Sequence, residues 1–262
     1  MSALDIEFVK ALAREAGDRA LTMLSAMQPE YKADGSYVTH IDRQTEELIR
    51  ERIAERYPDH SFQGEEYGRF GDPSRPLWCV DPIDGTTNMV YGLTHWCVSI
   101  GLIEGGEAAG GAVYIPNTNE MYWAVRGEGA YCNGVRLAPP DRTAIHGEDT
   151  LGMTSSSVKT LNPWVLEGRI RCIGSIAIEF VYTAHGRLCS HVGCHEGIND
   201  LAASLCICTE AGCVVEYLDG SEFSIQDMVA RGKTRGHFVV APPEFARVLR
   251  SRLKVTQTGS AA

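Results

Sequence analysis

The chain has 262 residues, of which 44% are hydrophobic, and a formal net charge of −10. That is enough apolar material for one large domain or two small ones, and the acidic balance excludes the basic face that nucleic acid requires. The opening Met1-Ser2-Ala3-Leu4-Asp5 has no basic, then apolar, leader, and no run of about 18 apolar residues follows, so a cytoplasmic protein without signal peptide or membrane span is expected.

Residues 5–27 place Ile6, Val9, Leu12, Ala13, Ala16, Ala20 and Leu24 at helical spacing, which predicts an amphipathic helix. In the run Lys32-Ala33-Asp34-Gly35-Ser36-Tyr37-Val38-Thr39-His40-Ile41-Asp42, Asp34-Gly35 signals a turn, as in a hairpin. Thr39 caps a helix to about Tyr57, Asp42 completes a capping box, and Pro58 follows the helix end. Ser61-Phe62-Gln63-Gly64-Glu65-Glu66-Tyr67-Gly68 reads as a glycine-flanked loop with two adjacent carboxylates. Taken alone, such a doublet is a solvated surface feature.

Leu77-Trp78-Cys79-Val80 reads as a buried strand, and Asp81-Pro82-Ile83-Asp84-Gly85-Thr86-Thr87-Asn88 follows it. Pro82 cannot donate to a ladder, so the chain is expected to leave the sheet there. Two carboxylates then stand just before Gly85, bare amides and two hydroxyls. Carboxylates hold hard cations, and amides with hydroxyls hold phosphate.

Cys97–Ile103, Ala109–Ile115 and Glu120–Val125 predict an antiparallel meander. Gly127-Glu128-Gly129 completes no dinucleotide-binding fingerprint. Pro139–Asp149 is a polar linker between two halves, followed by strands at 151–154 and 171–173. Ser175 caps a helix to His185, with Gly186 as its stop. In Gly193-Cys194-His195-Glu196-Gly197-Ile198-Asn199-Asp200, a helix begins at Asn199 or Asp200 and runs to about Ala211 before Gly212. The nine cysteines form no C-x-x-C pair; their odd number predicts buried, reduced thiols, Cys206 and Cys208 included. Thr256–Ala262 reads as a flexible tail.

The octet from Asp81 resembles the signature of the inositol monophosphatase family, the magnesium-dependent, lithium-sensitive phosphatases. The family's Lys-x-Asp-x-Ser-x-Val-Thr-x-x-Asp run is matched by Lys32 to Asp42, and its Gly-Glu-Glu by Gly64-Glu65-Glu66. Its Trp-Asp-x-Ala-Ala-Gly and Glu-Ala-Gly-Gly keep Asp200, Ala202, Ala203 and Glu210-Ala211-Gly212, with Asn199, Ser204 and Cys213 as departures. The resemblance covers nearly the whole chain. It implies a layered αβαβα α/β fold with mixed and antiparallel sheets. Residues 1–140 would form an N-terminal half with most metal ligands, and 141–255 a C-terminal half with Asp200 and the substrate loop.

The resemblance further implies two or three Mg²⁺ ions. Glu65, Asp81 and the Ile83 carbonyl would hold one, Asp81, Asp84 and Asp200 the second, and a weaker third would lie near Glu65. Glu65 and Thr86, with Thr86 bonded to Asp42, would orient a water nucleophile, and Gly85, Thr86 and Thr87 would cradle phosphate. No covalent phosphoenzyme is expected, lithium should inhibit at the second metal, and a homodimer is implied. The polyol pocket would include Gly174 and Ser175. The family's acidic polyol ligand falls on Gly193, so His195 and Glu196 are candidates to replace it, and a substrate other than myo-inositol phosphate is expected. Histidinol-phosphate, fructose-bisphosphate and adenosine-bisphosphate phosphatases share the metal core and are rival readings. A catalytically silent dimeric scaffold is another, although all four acids are present.

Overall fold

The computed structural model describes residues 4–138 and 142–255. The first helix, α1 (Ile6–Met23), is capped by Asp5, whose carboxylate accepts the Phe8 N–H. A hairpin follows, β1 (Pro29–Tyr31) with β2 (Tyr37–Thr39), turning at Asp34-Gly35 as expected. Helix α2 (His40–Arg56) carries the predicted capping box of Thr39 and Asp42.

An eight-stranded sheet comes next, built from β3 (Ser61–Gly64), β4 (Arg69–Phe70), β5 (Leu77–Asp84), β6 (Cys97–Glu104), β7 (Glu107–Ile115), β8 (Glu120–Val125), β9 (Gly129–Cys132) and β10 (Val135–Arg136). The short helix α3 (Thr86–Val90) lies between β5 and β6. The strand order is β10-β9-β8-β7-β6-β5-β3-β4, and within it β3 and β5 are parallel while the other pairs are antiparallel. The second sheet has five strands, β11 (Thr150–Met153), β12 (Arg169–Arg171), β13 (Ser190–Cys194), β14 (Val214–Tyr217) and β15 (His237–Ala241). Its order is β12-β11-β13-β15-β14, and it too mixes parallel and antiparallel pairs. Its helices are α4 (Ser155–Thr160), α5 (Ile176–His185), α6 (Ile198–Glu210), α7 (Ile225–Arg231) and α8 (Pro243–Arg252).

These elements stack in five layers. Helices α1 and α2 cover one face of the large sheet, with Leu12, Ile49, Trp78 and Ile100 in the core between them. Helices α5 and α6 fill the space between the two sheets, where Phe180, Leu201 and Ile207 are fully buried. Helices α4 and α8 close the far face of the small sheet. Two glycines make the central contact close. A Cβ at Gly101 would lie 2.4 Å from the Ala203 amide, and one at Gly111 2.9 Å from the Ala203 Cα, so α6 lies with its backbone on the sheet.

The structure differs from the sequence reading at several places. Residues 61–64 form a strand, because β5 offers them a parallel partner distant in sequence. Pro82 does not end its strand. The β5–β6 register shifts between Asp81 and Asp84, and pairing resumes at Asp84 opposite Cys97, so the missing donor falls in a bulge. The strand expected at 171–173 is Arg169–Arg171, and α6 starts at Ile198 with Gly197 as cap. The tail and the first three linker residues lie outside the described residues. All nine cysteines are free, and all but Cys172 are buried.

Candidate active site

The bulge in β5 gives the site its shape. Asp81 folds its carboxylate back to accept the Ile83 N–H at 2.9 Å. Gly85 then turns the chain at φ 100°, and a Cβ there would stand 2.8 Å from the His95 carbonyl oxygen. Only glycine meets both conditions. Asp84 is buried and takes hydrogen bonds from the start of α5: Ser175 Oγ at 2.6 Å, the Ala177 N–H at 2.7 Å and the Ile176 N–H at 3.3 Å. Ser175 also caps α5 through the Ile178 N–H.

Asp42 makes both the capping-box bonds expected from spacing and the Thr86 bond the resemblance implies. One carboxylate oxygen accepts the Thr39 N–H and hydroxyl, and the other accepts the Thr86 hydroxyl at 2.8 Å. The same hydroxyl lies 2.9 Å from the Ile83 carbonyl, so one hydrogen has two acceptors.

Glu65 enters from the other side of β5, on a loop held from below. Buried Glu46 accepts the N–H groups of Glu66 and Tyr67 at 2.7 and 3.0 Å. Its carboxylate packs so tightly against Gly64 that a Cβ there would clash. Lys32, from the hairpin turn, bonds Glu65 at 2.7 Å and Glu66 at 2.6 Å, latching the hairpin to the acid loop. Asp200 arrives from the first turn of α6. Parts of that residue stay open to solvent, but its carboxyl is enclosed by protein.

The acids act on one another. Burial, then the charges of Glu65, Asp200 and Asp84, holds Asp81 far above the usual carboxylate range. Burial, then Asp84, Glu65 and Glu196, does the same to Asp200. Asp84 is pushed up to about 6 by burial, against the stabilising hydrogen bonds of Ser175 and α5. Uncompensated carboxylates are costly to bury, and an all-oxygen anionic donor set suits a hard divalent cation that retains water. Among the described residues, no three acid, His or Cys side chains close on one point as a metal cluster.

Near the site, Gly174 has φ +84° and packs on the Asn88 amide, which donates to the His95 and Ile173 carbonyls. Glu196 is half-buried, and burial pushes it up to about 7, with Asp84 adding to the rise. His195 sits at φ 63° on an exposed turn; burial, and then the nearness of His195, lowers the pKa of His237. A Cβ at Gly193 would lie 2.7 Å from the Phe238 ring and 2.9 Å from His191 Nε2, so the fold leaves no room for an acid there.

Lys32, Glu46, Asn88 and the buried Glu179–His191 pair escaped the sequence reading. Glu179 accepts His191 Nδ1 at 2.5 Å and the Ile173 N–H at 2.7 Å, which anchors the loop leading to Ser175. Of these, Lys32 and Asn88 stood within recognised runs but without a role; the partners of Glu46, Asn88 and Glu179 are 5 to 85 residues away.

Residues 4–243 match the model of the Inositol monophosphatase family. The fructose-1,6-bisphosphatase/inositol-1-monophosphatase of Aquifex aeolicus is 33% identical, over 80% of this chain and 83% of that one. The inositol-1-monophosphatase of Bacillus subtilis is 34% identical, over 83% and 87%. The Nus factor SuhB of Pasteurella multocida is 34% identical, over 87% and 86%. Among solved structures, an IMPase of Thermotoga maritima superposes with a TM-score of 0.83 at 29% identity, covering 94% of each chain. The chain belongs to the inositol monophosphatase family and is a phosphatase, a phosphoric monoester hydrolase.

Proposed function

We propose that this phosphatase uses Mg²⁺, two or three ions per site, to hydrolyse a small polyol, sugar, cyclitol or amino-alcohol phosphate. One observation carries the reading: Asp81, Asp84 and Asp200, brought together from two separate stretches, are all raised by burial and then by the charges of neighbouring acids, Glu65 among them, beside the Thr86–Asp42 pair. Glu65, Asp81 and the remaining lone pair of the Ile83 carbonyl would hold one ion. Asp81, Asp84 and Asp200 would hold another, and a weaker third would lie near Glu65. Bound there, Mg²⁺ lowers the pKa of water and screens the phosphate's charge.

The chain's own groups supply the orientation. When Thr86 gives its single hydroxyl hydrogen to Asp42, its oxygen keeps lone pairs that accept a hydrogen from water. Glu65 is the more exposed acid and would take the second hydrogen. Amides and hydroxyls at Gly85, Thr86 and Thr87 would receive the phosphate oxygens. The N-terminal half, 1–140, thus contributes most of the machinery, and the half from 141 to 255 contributes Asp200 and the face toward the alcohol.

On that face Glu196 stands where a side chain at Gly193 is sterically excluded. The alcohol would present it a hydroxyl or an amine, which favours substrates other than myo-inositol phosphate. His195 is a weaker candidate, being exposed. A solved relative at 26% identity is described as inositol monophosphate-bound, which supports a small phosphorylated ligand in this fold. The Aquifex relative's name favours fructose bisphosphate as a second reading. A homodimer in a reducing cytoplasm completes the proposal, the free cysteines supporting the compartment.

The test is phosphate release from inositol 1-phosphate, fructose 1,6-bisphosphate, histidinol phosphate and adenosine 3′,5′-bisphosphate, with and without Mg²⁺ and Li⁺. Magnesium-dependent, lithium-sensitive release is expected, fastest on an ester whose preference changes in Glu196→Ala. Full activity in excess EDTA would overturn the metal reading. Best turnover on inositol 1-phosphate, unchanged by Glu196→Ala, would overturn the substrate reading.

A further inference from the structure

A half-open cavity of about 1070 Å³ lies at the opposite end of β5 from the acidic site. Leu77, which lines it, begins the strand that ends at Asp84, so the two places are on the order of 20 Å apart at about 3.3 Å per residue. The cavity sits between the end of α2, the 72–76 loop, the β6–β7 turn and α7, so both sheets' elements contribute. Its apolar wall is Leu77, Ile103, Ile225 and Val229.

Arg69 and Arg75 stand at its mouth, both exposed. Several arginines of this acidic chain are met by carboxylates, as Arg142 by Asp149, Arg169 by Glu148 and Arg187 by Glu120. Among the described residues, neither Arg69 nor Arg75 has an ion-pair partner, whereas Arg56, also on the rim, has Asp5 at 3.4 Å. Asp59 and Glu104 line the same cavity, which leaves it near neutrality and ill suited to a polyanion.

His60 adds a fixed donor. Its ring stacks on Tyr57 with centroids 4.8 Å apart, and its Nδ1 accepts the Trp78 indole N–H at 3.1 Å. Because Nδ1 accepts that bond, the ring's donor hydrogen sits on Nε2. Two unpaired guanidiniums, one oriented N–H and an apolar wall make a recognisable receptor.

We propose that this cavity is a second ligand site for a small organic monoanion with an apolar or aromatic body. Arg69 and Arg75 receive its charge, and Leu77, Ile103 and Val229 receive its body. The site is independent of the phosphatase chemistry, and its occupant need not be a phosphate ester.

The probe is naphthalene-2-sulfonate, which carries such a body and charge and is not a phosphate ester. Its two parts, 2-naphthol and inorganic sulfate, serve as comparisons. Calorimetric titration of the full chain is expected to show one site. The Arg69→Ala/Arg75→Ala double variant should bind about tenfold more weakly or worse, as loss of charge-assisted hydrogen bonds requires. Ala230→Trp, an exposed change on the α7 rim, should block binding by filling the cavity. Asp84→Asn should bind the probe normally. Both cavity variants should release phosphate as the parent does, which shows that they fold. Binding that survives both cavity variants, equal affinity for 2-naphthol, or loss of binding in Asp84→Asn would each overturn the proposal.

Discussion

Asp84 combines burial with a negative charge, two properties that conflict without a counter-charge. It is buried, its charge opposes those of neighbouring acids, and it is fixed by Ser175 and α5. Its folded pKa of about 6 lies above the ordinary carboxylate value near 4, so the metal-free folded state binds this proton more tightly than the unfolded chain does. The associated stability is fully present below about pH 4 and is lost as pH rises through about 6. Thermal unfolding in EDTA should therefore show the melting temperature falling between those values. Asp84→Asn should flatten that fall, since the amide does not titrate. The same variant should lose about 10³-fold or more in phosphate release, several kcal/mol of charge stabilisation. A parental slope in Asp84→Asn would show that another acid dominates. These acids were legible in the sequence because they stand in short contiguous runs. Their mutual repulsion was not, because charge interaction depends on distance through space.

At the scale of elements, the strand–bulge–helix unit from Leu77 to Val90 depends on one backbone conformation. Gly85→Ala combines a left-handed φ with a Cβ against the His95 carbonyl. A loss of about 1–3 kcal/mol is expected in urea unfolding, together with reduced phosphate release as Thr86 leaves Asp42. The loop before α5 depends on Glu179 in the same way. Glu179→Ala would leave the Ile173 N–H and a fully buried His191 without their acceptor. That should cost about 3–5 kcal/mol, measured by denaturant titration, with Glu179→Gln milder because its carbonyl still accepts. The capping box of α2 and the caps of α5 were readable because each is written within four residues. The strand at 61–64 and the continuation of β5 past Pro82 were not, since both exist through pairing with distant strands.

For the molecule as a whole, α6 is the element on which the layers depend. It lies against the large sheet, packs beside α5, and carries Asp200 to the site. Gly101→Val would drive a side chain into the Ala203 backbone and push α6 off the sheet. Destabilisation of about 1–3 kcal/mol or more is expected from overpacking. Weaker binding of Mg²⁺ by calorimetry should accompany it, because Asp200 moves with the helix. Unchanged metal affinity in a destabilised variant would mean that Asp200 is positioned by its local turn alone. The sequence by itself determined the family motifs, the acids, the local caps and turns, and a mixed α/β composition, all of which are properties of neighbouring residues. Only the tertiary structure decided the five-layer stacking, the latch of Lys32 on Glu65 and Glu66, and the steric exclusion at Gly193. Each of these depends on atoms that the chain brings together from far apart, and sequence spacing carries no record of that distance.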